Sequence, residues 1–375
     1  MMRPDLNRRQ VLRRLGLGGL ALGGALLGMG RSRATLSHFS PGQAQGQTPL
    51  PWPEPRRGDL RIATISDLNG PYGSTTYRET VHRAIALLPS WRPDLVLCGG
   101  DCVAGQKLDL TRSQLDAMWA GFDRHIAAPL RTAGLPLAVT MGNHDASGSL
   151  TSDGQYRFAS DRAAAAAYWQ RTQGSLGLDW IDRRDFPFYY SLRLRDPSGR
   201  SVYILVWDAS TARIPAAIAE RADRDLASPA AQGAALRLVM GHMPFYPIAP
   251  GRDTPGNYLE GGDRWVSLLQ RHRVSAYLSG HHHAYFPARV GSLDLLHLGN
   301  LGDGARPLLG SDRPPVQTLT LLDLFLDRGA IERTTYDLVN LTPLDERQLP
   351  AQIRSAPWTL HRHSQDAPAR SPEGP

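Results

Sequence analysis

Five short runs of oxygen- and nitrogen-bearing side chains constrain this chain more than any other feature, because each follows directly on an apolar stretch with the composition of a β-strand. They are Asp67-Leu68-Asn69, Gly100-Asp101, Gly142-Asn143-His144-Asp145, Gly241-His242 and Gly280-His281-His282-His283. Carboxylate, amide oxygen and imidazole are the ligands of hard to borderline divalent metals. Their recurrence at five loop positions predicts a metal centre that only the folded chain can assemble.

Between these runs, short β-rich segments alternate with helix-like ones. Leu60 to Ser66 precedes a helix-like Tyr77 to Leu88, Leu95 to Cys98 precedes Thr111 to Arg131, and Pro136 to Met141 precedes Asp161 to Gln170. Later come Tyr189 to Leu194, Ser201 to Trp207, helix-like Ala216 to Leu226, Leu236 to Met240, helix-like Asp263 to His272, and Val274 to Leu278. Segments such as Ser201 to Trp207 are almost wholly apolar, as strands covered on both faces are. The alternation predicts α/β layers. In such sheets the loops after the strands gather on one edge, where ligands bind, so residues far apart in sequence are expected to converge. Val316 to Leu326 with Ile331 to Val339 reads as a hairpin completing a second sheet.

Charge is unevenly spread. The formal net charge is +7, yet residues 1 to 43 hold seven Arg and one Asp, leaving about +1 for the rest. The body therefore has no basic surplus and no evident nucleic-acid-binding surface. Asn7-Arg8-Arg9-Gln10-Val11-Leu12-Arg13 before the uncharged run Leu15 to Met29 resembles a twin-arginine export signal. That run is too short and Gly-rich for a membrane span, so none is expected after processing. The implied partner is the twin-arginine translocation machinery, and the implied location is periplasmic or extracellular. Residues 1–45 are assigned to this signal and the start of a linker, 46–58 to flexible linker, 59–344 to one folded domain, and 345–375, rich in Pro, Arg, Ser and Gln, to a disordered tail. The two cysteines, Cys98 and Cys102, are expected to be buried free thiols.

Taken in order, the five motifs closely resemble the signature of the calcineurin-like metallophosphoesterases over about Leu60 to His283. The resemblance implies a four-layer αββα sandwich of two mixed β-sheets flanked by helices. It implies two divalent ions, with manganese, iron or zinc foremost. One is assigned to Asp67, Asn69, Asp101 and His283, the other to Asp101, Asn143, His242 and His281, with Asp101 bridging. The activity implied is hydrolysis of a small phosphoester, as a phosphatase or a phosphodiesterase, by a metal-bridging hydroxide. His144 faces the phosphate, with Asp145 expected to fix its tautomer. Two dications over two carboxylates leave excess positive charge, which suits a phosphate.

His281 and His283 lie two apart and so face one way in extended chain, while His282 faces elsewhere. The chain departs from the family at Asn69, where His is usual, which predicts weaker binding at the first metal or a preference for manganese or magnesium over zinc. That departure also motivates an alternative, a metal- or phosphate-binding protein of weakened catalysis on the same scaffold. Ala104 stands where an iron-tyrosinate site needs Tyr. His82, His125, His272 and His297 are read as hydrogen-bonded or surface residues, and Asp208 as a strand-ending carboxylate. Substrate selection is expected in the loops Gly70 to Thr76 and Ser147 to Phe158, with Tyr72, Tyr77, Tyr156 and Arg157 in or beside them.

Overall fold

Two mixed β-sheets carry the chain. The strands are β1 (Leu60–Ile65), β2 (Leu95–Cys98), β3 (Leu137–Val139), β4 (Asp179–Asp185), β5 (Tyr189–Arg195), β6 (Ser201–Val206), β7 (Leu236–Met240), β8 (Ala276–Ser279), β9 (Phe286–Val290), β10 (Leu293–His297), β11 (Thr318–Phe325), β12 (Ala330–Asp337), β13 (Thr342–Pro343), β14 (Gln352–Ser355) and β15 (Trp358–Arg362). The six-stranded sheet runs β13-β12-β11-β1-β2-β3 and the nine-stranded sheet β14-β15-β9-β10-β8-β7-β6-β5-β4. The computed structural model describes residues 54–365. The signal and most of the linker expected before residue 59 therefore lie outside the described residues. No helix among the described residues is long and apolar enough to cross a membrane.

The helices are α1 (Glu79–Trp91), α2 (Arg112–Phe122), α3 (Ala128–Thr132), α4 (Asn143–Ala146), α5 (Ala159–Thr172), α6 (Ala216–Leu226), α7 (Pro229–Gln232) and α8 (Gly262–Arg271). Helix α1 lies on the first sheet, where Trp91 packs on Tyr336 of β12 with ring centroids 5.0 Å apart. Helix α8 lies on the second, and its Gln270 Nε2 donates to Val290 O at the end of β9. Thr111 starts α2 with a capping box: the Gln114 N–H donates to its hydroxyl and the Thr111 N–H donates to Gln114 Oε1. Losing such a cap costs about 1 kcal/mol. Helices α2 and α5 meet through Trp119 stacked on Tyr168, with Trp169 edge-on to both rings. This is the α/β layering that the strand and helix alternation predicts, with the two mixed sheets and flanking helices that the family resemblance implies.

Two expectations are corrected. The hairpin β11-β12 forms, but it joins the first sheet, pairing antiparallel with β1, and completes no separate one. Alternation fixes a strand's faces and not its neighbour; here Arg61 of β1 lies opposite Asp323 of β11 in register. The tail expected to be disordered from 345 is ordered to 365: β14 and β15 pair and extend the second sheet from β9. Buried Ile353 and Leu360 supply the apolar side of that pair.

Candidate metal centre

The five motifs follow the C-terminal ends of β1, β2, β3, β7 and β8. The first three are parallel neighbours in one sheet and the last two parallel neighbours in the other. Backbone hydrogen bonds lace the loops: the Asp67 N–H donates to Gly100 O at 3.0 Å, the Leu68 N–H to Asp101 O at 2.9 Å, and the Gly280 N–H to His242 O at 2.9 Å. Asp67, Asp101, His281 and His283 have φ of 50°, 52°, 67° and 53°. Left-handed backbone costs a non-glycine residue about 1–3 kcal/mol and is kept where function demands it. Glycine is required where the loops touch: a Cβ on Gly142 would lie 2.1 Å from Asp101 Oδ1, and one on Gly280 2.5 Å from Asp67 Oδ2.

Two groups of donors result. Asp101, His242 and His281 offer ligand atoms within 4.8 Å of one another, as do Asp67, Asp101 and His283, so Asp101 belongs to both. His242 Nδ1 bonds Gly99 O at 2.8 Å, while its Nε2 stands 3.0 Å from Asn143 Oδ1 and 3.4 Å from Asp101 Oδ2. His283 repeats the arrangement, with Nδ1 on Gly304 O at 3.1 Å and Nε2 3.2 Å from Asp67 Oδ1. A backbone carbonyl on Nδ1 fixes the tautomer that leaves Nε2 free for a metal. Asp67 is braced by the Ser66 hydroxyl at 2.6 Å and by the His281 N–H at 3.1 Å to each carboxylate oxygen.

His281 tests whether a cation fits. Both its ring nitrogens are buried without a hydrogen-bond partner among the described residues, which costs the full desolvation of those atoms. Burial, and next the charge of His242, hold its pKa well below the usual imidazole range. A neutral imidazole with a free lone pair beside a carboxylate is what a divalent ion takes as ligand. Every other donor is oxygen or nitrogen, so the residues fit such ions. Burial alone would raise the Asp101 carboxyl, but the His242 and His144 charges overcome it and hold it well below the usual carboxylate range. Burial likewise opposes protonation of His242, and Asp101 outweighs it, pushing the imidazole up to about 10. Without a cation this pair shares a proton; a metal replaces that proton.

Asn143 is oriented by Gln106, whose Oε1 accepts from Asn143 Nδ2 at 2.7 Å and so turns the amide oxygen toward His242. Gln106 was not legible as a site residue: it stands in a loop outside the five motifs, and only its own left-handed φ of 67° marks it. Asn69 is buried beside the donors, its N–H bonded to Asp101 O and its carbonyl accepting from the Asp303 N–H. His282 bonds the polypeptide on both sides, accepting from the Ile248 N–H at Nδ1 (3.3 Å) and donating from Nε2 to Asn257 O (2.8 Å). Both its ring nitrogens are thus spent on the polypeptide, but the left-handed backbone at His281 and His283 means that this segment is not extended and that strand alternation is not the reason.

The expected pairing of His144 with Asp145 is not formed. Asp145 accepts from the Val103 and Gly142 N–H groups, both at 2.9 Å, and so ties the Asp101 and Asn143 loops together. His144 Nδ1 instead bonds Gly105 O at 3.1 Å and its N–H donates to Asp101 Oδ1 at 2.9 Å. Both residues lie in α4, and adjacent helical side chains diverge. Burial and then the Asp101 charge push the Asp145 carboxyl up to about 7. Tyr72, 58% exposed, packs its ring 5.3 Å from that of His144. Cys98 and Cys102 are buried free thiols with sulfurs 3.6 Å apart. Asp208 pairs with Arg162 at 2.9 Å and His272 with Asp223 at 2.6 Å, as structural residues do.

The family model described as calcineurin-like phosphoesterase matches residues 60–285. Comparison with curated proteins gives no match. Among solved structures, GAP50, the anchor in the inner membrane complex of Plasmodium, is similar at 12% identity over 82% of this chain and 90% of that chain, with a TM-score of 0.48. The protein TT1561 of Thermus thermophilus is similar at 16% identity over 74% and 99%, with a TM-score of 0.41. A putative 5'-nucleotidase from Staphylococcus aureus is similar at 12% identity and a TM-score of 0.41, over 73% of this chain and about half, 52%, of its own.

Proposed function

Because this chain belongs to the calcineurin-like phosphoesterase family, we propose that it is a metal-dependent hydrolase, a phosphatase or a phosphodiesterase, that cleaves an ester bond of a small phosphoester and releases an alcohol. One divalent ion would be held by Asp67, Asn69, Asp101 and His283, and a second by Asp101, Asn143, His242 and His281. One observation carries the reading: a single carboxylate, Asp101, contributes to both groups of clustered donors. When bound, such a pair of ions neutralises phosphate oxygens and acidifies water for attack on phosphorus.

The chain's own groups supply the rest. His144 is half-buried and keeps one ring nitrogen on Gly105 O, which leaves the other to offset charge at the transition state and to protonate the leaving oxygen. Asp145 acts through the backbone, holding the loops of Asp101 and Asn143 in register. The basic start of the chain supports export by the twin-arginine route to the periplasm or beyond, with folding and metal loading completed first.

Purified protein loaded with manganese is expected to hydrolyse p-nitrophenyl phosphate or its bis-ester. No turnover of either ester with two metals bound per chain overturns the proposal. Asn69→His separates enzyme from weakened relative: a shift of metal preference toward zinc in an active protein supports the enzyme, and activity that appears only in the variant supports the weakened scaffold.

A further inference from the structure

The loop that His282 holds from both sides, between Ile248 and Asn257, carries Arg252 into the cleft of the metal donors. That cleft, of about 860 Å³, is lined by Arg252 together with Asn143, His281 and Gln106. Arg252 is half-buried and its side chain is fixed at one point, where Nη1 donates to Asn257 Oδ1 at 2.9 Å. Its Nε–H is buried with no hydrogen-bond partner, and the same is true of Arg306. Among the described residues no carboxylate lies within ion-pairing distance of either guanidinium. Arg306 itself is tied to the site, its N–H donating to His283 O at 3.0 Å and its Nη1 to Pro250 O at 3.3 Å.

A buried donor on a permanent cation without an acceptor costs more than a neutral one, and two such cations side by side repel. Burial, and then the Arg306 charge, lower the Arg252 pKa, while Asp67 and Asp101 act on it in the opposite sense. The guanidinium is therefore close enough to sense the metal carboxylates without bonding them. An unpaired guanidinium beside a cationic centre is the arrangement that an anion relieves, and guanidinium forks match phosphate oxygens.

We infer that Arg252, supported by Arg306, is the anion-binding arm of this cleft and receives a phosphate oxygen that the metal donors leave free, so that the site selects terminal phosphate monoesters over diesters. A monoester dianion has three non-bridging oxygens, and a diester has two, a single charge and a second organic substituent. A fixed cation beyond two metal ions thus gains more from the monoester. The inference rests on the phosphoester reading above and deepens it.

Titration calorimetry with inorganic phosphate on the metal-loaded protein, together with kinetics on p-nitrophenyl phosphate and bis-p-nitrophenyl phosphate, tests it. Arg252→Ala is expected to weaken phosphate binding and raise the monoester KM by roughly tenfold or more, with the diester kcat/KM changed by less than about threefold, as loss of one charge-assisted donor implies. Metal content by elemental analysis should be unchanged, and Arg252→Lys should recover part of the loss. Unchanged phosphate affinity in Arg252→Ala, or equal losses on both esters, overturns the inference. Should wild type turn over neither ester, the hydrolase reading fails, and the phosphate titration still decides whether Arg252 is an anion arm.

Discussion

The Arg61 guanidinium meets the Asp323 carboxylate through two hydrogen bonds, Nε to Oδ1 at 2.9 Å and Nη2 to Oδ2 at 3.1 Å, across the register pair that joins β1 to β11. The side chains are 0% and 2% exposed. Glu54 and the Pro55 and Trp91 carbonyls take the other guanidinium protons. β1 leads directly into Asp67, so the ion pair fixes the strand that delivers the first metal donor. Removing Asp323 leaves the buried Arg61 Nε–H without its acceptor and the charge facing only the part-exposed Glu54, so Asp323→Ala is expected to destabilise by about 1–3 kcal/mol. Urea denaturation reads the loss; a change below about 1 kcal/mol, the scale of an exposed pair, contradicts it.

Asp101 serves both donor groups, whereas His242 serves one. Asp101→Asn is therefore expected to abolish uptake of both ions, and His242→Ala to leave one per chain. Elemental analysis after dialysis against a metal buffer separates the outcomes. Equal stoichiometries in the two variants would remove the shared role of Asp101.

Gln106 touches no donor except the Asn143 amide. Freed from it, that amide can rotate its nitrogen toward the ion. Gln106→Ala is expected to weaken metal binding by roughly 10- to 100-fold with little change in stability, the effect of losing a group that orients a ligand. Competition with a chelator of known affinity measures it, and unaltered affinity would reduce Gln106 to a bystander.

His297 ends β10, 2% exposed, with Nδ1 on Phe286 O at 3.1 Å. Burial holds its imidazole down at about 4, against about 6.5 in the unfolded chain. The unfolded state thus binds the proton more readily, and the contribution to stability is whole above the unfolded pKa and is lost as pH falls from there toward the folded one. By pH of about 5 the loss amounts to roughly 2 kcal/mol. Denaturation curves at both ends of that window should show wild type losing this much more than His297→Gln; parallel losses would refute it.

Much of the site was readable because it depends on local rules. Parallel strands end in loops on one edge, so five donor runs placed after five apolar stretches had to be candidates for convergence, whereas His282 is turned by its bonds to Ile248 and Asn257 in a segment that is not extended. Helices α1, α2, α5, α6 and α8 each fall on a helix-like segment between strand-like runs, although of these five only α2 carries a side-chain N-cap, at Thr111. Strand β4 did not, since Asp179–Asp185 is charged and lies at the edge of its sheet, where burial imposes no alternation.

Chain order and residue type alone thus determined which side chains can ligate and where the strands that precede them stop. The tertiary structure decided that β11 pairs with β1, that Asp145 braces two loops and does not touch the His144 ring, that residues 352–362 extend a sheet, and that Arg252 enters the cleft. Those outcomes join segments tens to hundreds of residues apart, and their free energy comes from burial and hydrogen bonds made only when both segments are present, so no window of sequence contains them.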